Sequence, residues 1–471
     1  MRNKLAVLLL VFCSHIFPQQ ITLSDTTNQY DYIIITIPEY VQSCQVFKEH
    51  KETVRGLKTL IVDTTQIFAE FNSDSLPQNN IREFISYAGT YWQDPKPEYV
   101  LFVGTSTQVP NYLITGSFPP ALPEHRTDYF YRINLNNPYT TELSFFVGRV
   151  PAKNTIEINN YFSKVIEYEN IVEPLSWMNN ALFIFQDYAD FGFDNASYSL
   201  ANQLPSYINP YFISNSDTSI YYGNNDTILS RLGNEGAAAV WFMGTGYYDY
   251  FISSEYFSIN DVHLMSNNAK YFVSFFVANQ GNIIDTNSSI TSEVLFLNSA
   301  GSLAGIGPAG ISFWQVGLAI HNKWVHYLFS LSPTPLGALF NLPELGSTGS
   351  FYYMWQSLNL WGDPSIILNY STVTSVDNDI TTVPNEYLLS QNYPNPFNPS
   401  TRISWQSPVS SHQTLNVFDI LGNEIATLVN EYKPAGKYEV DFDGSRLASG
   451  IYFYKLTAGN YSKVMKMMLL R

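Results

Sequence analysis

The chain has 471 residues and a formal net charge of −16, with a sequence pI of about 4.8. Such an acidic surface argues against nucleic acid and anionic membranes as partners, because both call for basic patches. Charged residues are sparse at 14% and aromatic residues are rich at 16%, which indicates a large-cored globular protein and excludes a disordered one. The length is enough for two or three domains.

The first twenty residues are predicted to be a signal peptide. Arg2 and Lys4 precede the apolar run Leu5–Phe12, and Ser14–Gln20 fits a cleavage region. The run is too short to span a membrane, and no later stretch has the roughly 18 uninterrupted apolar residues of a transmembrane helix. We therefore expect an exported protein without a transmembrane segment. Cys44 is then its single cysteine, so neither an internal disulfide nor a zinc site built on cysteines is expected.

Between residues 30 and 368, apolar runs alternate with helical patterns in the rhythm of a doubly wound α/β layer. Buried parallel strands read as continuous apolar runs, and such a sheet carries its chemistry on loops at the carboxyl ends of its strands. The predicted strands are Tyr30–Ile37, Lys58–Val62, Tyr99–Gly104, one ending at Val147–Pro151, Ala181–Phe185, Ala239–Met243, Tyr271–Val277 and Gly301–Gly307. The predicted helices are Val41–Lys58, Ile81–Trp92 with its cap in Gln78-Asn79-Asn80, Ile156–Asn170, one near Ser197–Leu204, and Gly310–Leu331.

The last hundred residues have a different pattern. Residues 371–386 are rich in Ser, Thr, Asp, Asn and Val, which predicts a linker. Short alternating segments follow, split by Gly, Pro and Asn, and they predict a small antiparallel β-sandwich. Its predicted strands are Thr401–Trp405, Gln413–Phe418, Tyr438–Phe442, Ile451–Leu456 and Tyr461–Met468.

Residues 387–471 resemble the type A sorting domain of the type IX secretion system of Bacteroidetes-like bacteria. The segments that carry the resemblance are Asn392–Thr401, Val417–Gly422, Pro434–Gly436, Leu447–Tyr454 and Lys466–Arg471. Proteins with such a domain cross the outer membrane, and the domain is usually removed on the way. The resemblance implies the type IX secretion machinery as a partner and a secreted or cell-surface location.

Residues 30–368 resemble the gingipain family of cysteine peptidases, which have a caspase-like α/β fold in two subdomains. The segments that carry this resemblance are Tyr99–Gly104, Gly148–Pro151, Lys164–Glu169, Ser292-Glu293 and Gly362–Pro364. The expected organisation is a signal peptide (1–20), two gingipain-like α/β subdomains (28–175 and 176–370), a linker (371–386) and an immunoglobulin-like sorting domain (387–471).

The chain departs from that family at the positions that carry the chemistry. The family has a Gly-His-Gly turn with the general base, whereas this chain has Gly244-Thr245-Gly246. The nucleophile in a pattern like Ala-Cys-Asn-x-Gly corresponds to Ala278 in a gapless match, or to Asn279 after a shift of one residue. After an earlier strand the family usually has Gly-Asp, whereas this chain has Gly104-Thr105.

These departures predict that no catalytic residue is intact. A cysteine peptidase needs a thiolate activated by an imidazole. Alanine has no lone pair to offer, an asparagine amide is a poor nucleophile, and a threonine hydroxyl neither holds nor releases a proton near neutral pH. The degenerate positions are thus Thr245, Ala278 and Asn279, and the expected lining of the former cleft is Gly244, Gly246, Gln280, Gly281 and Asp285.

One cysteine and three histidines are further candidates for a nucleophile, a base or a metal ligand. Cys44 lies on an early helix, far from the site loops in sequence, and is interpreted as a plain, partly buried thiol. His263 could replace the base, with a surface histidine as the alternative. His321 and His326 are five residues apart, whereas a metal pair on one helix face needs a step of three or four.

Two further patterns have structural alternatives. The acidic residues Asp187, Asp190 and Asp285 are candidate ligands for a structural calcium ion, against the alternative of solvated loop carboxylates. Gly305–Gly310 fits G-x-G-x-x-G, but no acidic residue follows before Glu344 to hold a ribose hydroxyl, and Pro308 lacks a backbone donor. A close strand-to-helix turn is the preferred interpretation, and no cofactor is expected.

Three functions remain in competition. The first is a secreted, non-catalytic gingipain-like protein that binds a peptide, protein or glycan at the former cleft. The second is an active secreted cysteine endopeptidase, as the family resemblance alone would imply. The third is a cell-surface adhesin or scaffold, in which the fold only provides a rigid frame.

Overall fold

The computed structural model describes the chain in sixteen stretches. They are 21–114, 125–135, 144–186, 197, 200–215, 223–245, 249–254, 256–278, 289–309, 314–329, 334–341, 356–371, 387–408, 411–433, 436–459 and 461–470. The chain divides into two compact units, Met1–Thr374 and Ser375–Arg471. No helix among the described residues is both long and apolar enough to cross a membrane.

The first unit is organised around one large sheet. Within the described residues, ten strands form this sheet in the order β2-β1-β3-β6-β14-β13-β12-β9-β7-β8, while β4 with β5 and β10 with β11 form small antiparallel pairs. The strands are β1 Tyr32–Thr36, β2 Thr59–Asp63, β3 Tyr99–Val103, β4 Tyr112–Ile114, β5 His125–Thr127, β6 Phe146–Val150, β7 Asn180–Phe185, β8 Asn209–Ser214, β9 Ala239–Gly244, β10 Tyr250–Phe251, β11 Phe257–Ser258, β12 Phe272–Ala278, β13 Ser302–Pro308 and β14 Leu358–Gly362.

Helices cover both faces of the sheet, as continuous burial of its strands requires. The helices are α1 Val41–Thr53, α2 Thr64–Glu70, α3 Pro77–Tyr91, α4 Thr155–Glu169, α5 Asn225–Ser230, α6 Ile259–Val262, α7 Ile290–Phe296 and α8 Trp314–Leu328. Short 3₁₀ turns lie at Pro38–Tyr40, Tyr129–Arg132, Ser176–Asn179 and Leu336–Asn341, and a π-turn lies at Arg231–Glu235.

The sheet is mainly parallel, which confirms the expected fold class. The pairs β1–β2, β1–β3, β3–β6, β7–β8, β7–β9, β9–β12 and β12–β13 are parallel. The exception is β14, which runs antiparallel to β13 and borders β6 through Trp361 and Arg149. Because β14 lies between β6 and β13, the two expected halves share one continuous sheet.

The apolar runs are strands because they are buried on both faces. All residues of β1, β3 and β9 are buried, so alternation between apolar and polar residues is absent. At the centre of one layer Trp241 is fully buried, and its ring stacks on those of Phe183 and Phe275 at 4.9 and 4.8 Å between centroids. Large aromatic surfaces therefore stabilise the sheet interior, as the composition predicted.

The Gly148–Pro151 segment, which carries part of the family resemblance, has a structural role. Arg149 is fully buried, and its Nε and Nη2 donate to the carboxylate of Asp128, each at 2.7 Å. Its Nη1 donates to the carbonyls of Gly104 and Val109 at 3.0 and 2.9 Å. Such bidentate, charge-assisted bonds are geometrically demanding, so Arg149 fixes the loop that follows β3 against β6.

A second buried ion network joins α1, α4 and the segment after β14. Nζ of Lys51 lies 2.6 Å from Oδ2 of Asp363 and 2.8 Å from both oxygens of Glu169. The hydroxyl of Tyr32 donates to Oδ1 of Asp363 at 2.7 Å, and Arg55 pairs with Glu169 from the outside. Buried charges need such compensation, so the Gly-Asp-Pro segment also serves the core.

Helix boundaries differ from the sequence prediction in two places. α3 begins at Pro77, not at Ile81, and Leu76 is its N-cap without a side-chain bond. Pro at the first helical position is favoured because its missing N–H has no partner there anyway. Asn80, predicted as part of the cap, lies inside the helix and bonds the backbone of Asp74. α1 ends at Thr53, five residues earlier than predicted.

The other predicted helices are only partly comparable. α4, with Asn154 as its N-cap, buries the predicted apolar stripe that includes Ile158, Tyr161, Phe162 and Val165, so this prediction is confirmed. The helix predicted near Ser197–Leu204 lies partly outside the described residues. The one predicted at Gly310–Leu331 is observed as α8.

The second unit consists of antiparallel strands in two sheets, which confirms the all-β prediction. Its strands are β15 Leu388–Leu389, β16 Ser400–Ser407, β17 Ser411–Phe418, β18 Glu424–Lys433, β19 Gly436–Asp443, β20 Gly450–Ala458 and β21 Tyr461–Leu469. The sheets have the orders β15-β16-β19 and β18-β17-β20-β21. The prediction missed β18, since two register shifts between β17 and β18 disturb the alternation that marks a strand. Apart from Ser371, the predicted linker lies outside the described residues.

Candidate functional site

The predicted site loops follow adjacent strands of the large sheet. Gly244 at the end of β9 pairs with Ala278 at the end of β12, and Phe185 at the end of β7 pairs with Met243. The strand that follows β7 in the chain, β8, lies on one side of β7, and the next strand of the sheet, β9, lies on its other side. The strand order therefore reverses between β7 and β9. Ligands of open α/β sheets bind at such a switch point, outside the carboxyl ends of the strands.

The turn after β9 is held by a residue that the sequence analysis missed. Gln186, directly after β7, accepts at Oε1 from both the backbone N–H and the hydroxyl of Thr245, each at 2.9 Å. The N–H of Gln186 donates to the carbonyl of Met243 at 2.9 Å. The N–H of Ile252 donates to the carbonyl of Thr245 at 2.8 Å. Thr245 thus occupies a fixed place between three strand ends.

Gly244 is buried and has a packing reason to be glycine. A Cβ at this position would lie 2.9 Å from Cβ of Gln186 and 3.2 Å from the ring of Phe251. The first glycine of the turn therefore permits the close approach of Gln186 to β9. Gly244 was predicted to line the cleft, but it lies below the surface, since the whole of β9 is buried.

This arrangement lacks the groups for thiol chemistry at the described positions. The Thr245 hydroxyl is oriented as a donor to an amide oxygen, and an unactivated hydroxyl cannot take up a proton near neutral pH. In a nucleophile–base–orienter unit the third group holds an imidazole in place. Gln186 instead holds a threonine, so the described part of the site offers hydrogen bonds at this position.

Cys44 is the candidate nucleophile of the competing hypothesis, and it is remote from these strand ends in the fold. It lies on α1, is fully buried and belongs to the same hydrophobic cluster as Phe47 and Phe162. Burial raises the pKa of its thiol to about 12. A reactive cysteine needs exposure and a lowered pKa, so the geometry agrees with a plain thiol, although the side chain is fully buried and not partly buried as expected.

His263 and His321 lie in settings that do not suit a base or a metal ligand, and the side chain of His326 lies outside the described residues. His263 is exposed and pairs with Glu293 at 3.1 Å, which agrees with the surface alternative. His321 is buried between the rings of Phe275 and Trp324, and desolvation lowers its pKa to about 3. Among the described residues no group of three or more His, Cys, Asp or Glu side chains could hold a metal ion.

Several predicted site residues lie outside the described residues. These are Gly246, Asn279, Gln280, Gly281 and Asp285 of the cleft, together with Asp187 and Asp190 of the calcium alternative. The lining of the cleft and the calcium hypothesis therefore remain predictions.

The glycine-rich segment after Gly301 requires a correction. Gly305, Gly307 and Pro308 lie within β13, so the first part of G-x-G-x-x-G is strand and not a strand-to-helix turn. A Cβ on Gly305 would lie 2.2 Å from Cγ2 of Thr291 on α7. The glycine is thus explained by the close packing of α7 on the sheet.

Together, the mainly parallel sheet, the site at its strand ends and the separate antiparallel unit define a caspase-like α/β protein followed by a β-sandwich. Residues 25–369 match peptidase family C25. This range covers most of the chain, and the chain belongs to peptidase family C25. Residues 391–470 match the secretion system C-terminal sorting domain. The chain is therefore exported by type IX secretion to the cell surface or the medium, and the secretion machinery is its partner on that route.

Solved structures agree with this fold. The complex of the pro- and mature domains of RgpB from Porphyromonas gingivalis has a TM-score of 0.58 at 15% identity, covering 93% of this chain and 100% of that chain. The Arg-specific cysteine proteinase gingipain R (RGPB) has a TM-score of 0.60 at 15% identity, covering 94% and 98%. At this identity the similarity shows the fold alone. No curated protein matches the chain.

Proposed function

We propose that this protein is a secreted, non-catalytic member of peptidase family C25 that binds a peptide, protein or glycan at the former cleft. The observation that carries the proposal is the pairing of Gly244 with Ala278. The family resemblance puts the base position at Thr245 and the nucleophile position at Ala278 or Asn279, and of these Thr245 and Ala278 lie at adjacent strand ends. Neither position has a thiol or an imidazole, so the two halves of the dyad are lost together.

The bonds of Thr245 support a retained site rather than a decayed one. Two hydrogen bonds to one oxygen of Gln186 fix the turn after β9. A turn that is already held at Thr245 loses less entropy when a ligand binds beside it. Binding at this position uses the fold as the family does, without its chemistry.

The alternative of an active cysteine endopeptidase is favoured by the family match, but it would need another thiol. Cys44 is the single cysteine after residue 20. Its burial and raised pKa support the non-catalytic assignment.

Peptidase activity is tested on pure secreted protein with Arg, Lys and generic fluorogenic peptides under reducing conditions, with and without calcium. We expect no turnover. Turnover that iodoacetamide abolishes, and that is absent from Cys44→Ala, would contradict the proposal. The variants Thr245→His/Ala278→Cys and Thr245→His/Asn279→Cys serve as gain-of-activity controls, in which weak turnover is expected because the supporting residues have changed too.

Ligand binding is tested on glycan and peptide arrays with the same protein. We expect a hit that Thr245→Trp weakens, because the indole would fill the space above the strand ends. A matched control is Val172→Ser, at a highly exposed position outside the site. A ligand that binds the native protein, Thr245→Trp and Val172→Ser equally would favour the function of a cell-surface adhesin or scaffold.

A further inference from the structure

The tip of the β17–β18 hairpin exposes two large aliphatic side chains. Ile420 is 70% exposed and Leu421 is 81% exposed. Single exposed aliphatic residues are common and need no explanation, but contiguous apolar surface marks interaction sites. The two side chains at the tip mark an interaction site only if neighbouring apolar residues extend their surface.

The turn that presents the two side chains is rigid. Oδ1 of Asp419 accepts from the N–H groups of Leu421 and Asn423, each at 2.9 Å, and Oδ2 accepts from the Asn423 amide. Gly422 has φ +84°, which glycine adopts without strain. The apolar tip is therefore held in one conformation, so little entropy is lost when it binds a partner.

The apolar surface continues onto the outer face of the four-stranded sheet. Side chains alternate between faces, and Tyr452, Tyr454 and Leu456 of β20 point into the core. The opposite face carries apolar residues that are partly exposed. They form cross-strand pairs directly below the tip, namely Phe418 with Phe453 and Ile451 with Met468.

Charged residues of both signs border this surface: Glu424 is exposed opposite Phe418 on the side of the tip, Asp419 lies in the turn itself, and two lysines lie on the side away from the tip. Lys455, opposite Val464, and Lys466, opposite Phe453, are exposed on the same face. The charge contrast with the rest of the chain is large. Residues 387–471 contain 8 Lys or Arg and 6 Asp or Glu, a net charge of 8 − 6 = +2, whereas residues 21–386 contain 14 and 34, a net charge of 14 − 34 = −20.

We propose that Ile420, Leu421 and the adjoining face of Phe418, Ile451 and Phe453 are the docking surface for a protein of the type IX secretion machinery. The partner presents an apolar socket whose rim is acidic on the side that meets Lys455 and Lys466, and not on the side of Asp419 and Glu424. An acidic rim attracts the Lys455 and Lys466 side and repels the strongly acidic first unit, so it selects the sorting domain over its cargo.

We assign the secretion machinery as the binding partner because this surface lies wholly within residues 391–470, the matched sorting domain. The proposal goes beyond ligand binding at the C25 cleft, because it assigns a second surface in the other unit. Its test does not involve the cleft, so the two can fail independently.

The test uses the full chain, expressed in a bacterium with a working type IX system. The variant is Ile420→Ser/Leu421→Ser, and the exported and periplasmic fractions are measured. Because Asp419 and Gly422 hold the turn, we expect normal thermal unfolding and at least about a tenfold fall in exported protein. A tenfold change in affinity corresponds to about 1.4 kcal/mol. Normal export of this variant would overturn the proposal.

A matched control is Leu388→Ser, at an exposed apolar residue on the three-stranded sheet. It should be exported normally, and an equal loss would show that the tip has no special role, which also overturns the proposal. If the double variant unfolds, Lys455→Glu/Lys466→Glu provides the test, since these exposed residues leave the core unchanged. Reduced export of this folded variant supports the acidic rim, and unchanged export contradicts it.

Discussion

The hydroxyl of Thr245 and Oε1 of Gln186 lie 2.9 Å apart, and the same oxygen accepts from the backbone N–H of Thr245. The two residues follow neighbouring parallel strands, β9 and β7. Their contact holds the described part of the turn after β9 at the candidate site.

Gln186→Leu should destabilise the first unit by about 1–2 kcal/mol, because a partly buried N–H and hydroxyl lose their acceptor. Gln186→Glu is the matched control, since a carboxylate can still accept both bonds. Urea unfolding of the two variants measures the difference. Equal stability of Gln186→Leu and the native protein would show that water replaces the lost acceptor.

Cys44 should be inert in the folded protein. Its pKa of about 12 leaves only about one thiolate in 10⁴ at pH 8, and the side chain is fully buried. Iodoacetamide labelling followed by mass spectrometry should show modification only after denaturation. Cys44→Ala should change stability by about 1 kcal/mol without changing ligand binding. Rapid labelling of native protein would contradict the buried position.

Lys51→Met should cost about 3–5 kcal/mol, since removing one partner leaves the buried carboxylates of Asp363 and Glu169 uncompensated. Lys48→Met is the control on the same helix, because Lys48 pairs with Glu52 near the surface, where an ion pair contributes about 0–1 kcal/mol. Chemical denaturation of both variants gives the comparison. Similar losses for both would contradict the assignment of Lys51 to the core network.

Acid should weaken the first unit through Glu169. Burial alone would raise the pKa of this carboxyl, but Lys51, the hydrogen bond from His50 and Arg55 outweigh it and lower the pKa to about 2. The unfolded chain has the ordinary value of 4.5. The folded state is thus favoured above pH 4.5, and this contribution, about 3 kcal/mol, is lost as the pH falls toward 2.

Unfolding free energies measured between about pH 6 and pH 2.5 test this dependence. Glu169→Gln should be less stable at neutral pH and should lose less stability in that window, because its amide does not titrate. An unchanged slope in the variant would assign the acid sensitivity to other carboxylates.

The sequence predicts the strands of the sheet well because a buried parallel strand is a continuous apolar run, as in Ala239–Met243 and Tyr271–Val277. It also places the candidate site at the carboxyl ends of these strands, since that is where an open α/β sheet carries its chemistry. Gln186 could not be found in this way. A single polar residue after an apolar strand is ordinary, and its bond to Thr245 joins positions 59 residues apart.

The roles of the family segments were equally hidden. Arg149 and Asp363 stand in segments that carry the family resemblance, and their partners Asp128 and Lys51 show that both hold the core together. Sequence spacing gives no sign of these partners, because charge compensation in a core depends on which elements pack together. The motifs therefore indicated the family correctly without locating its cleft.

Gly305 allows β13 and α7 to pack closely, so a side chain at this position should destabilise the protein. A Cβ at this position would meet Cγ2 of Thr291 at 2.2 Å, with Oγ of Ser274 at 3.2 Å and Cβ of Thr291 at 3.7 Å. Gly305→Ala should therefore overpack the contact between β13 and α7 and cost about 1–3 kcal/mol.

The clash is with one methyl group, so Thr291→Ser should relieve it. Thr291 is almost fully buried, and the serine variant alone should lose about 1 kcal/mol through the missing methyl. A double-mutant cycle measured by urea unfolding tests this. The double variant Gly305→Ala/Thr291→Ser should lose less unfolding free energy than the sum of the losses of the two single variants. Strict additivity would mean that the alanine meets some other obstacle and that the close approach of α7 does not explain the glycine.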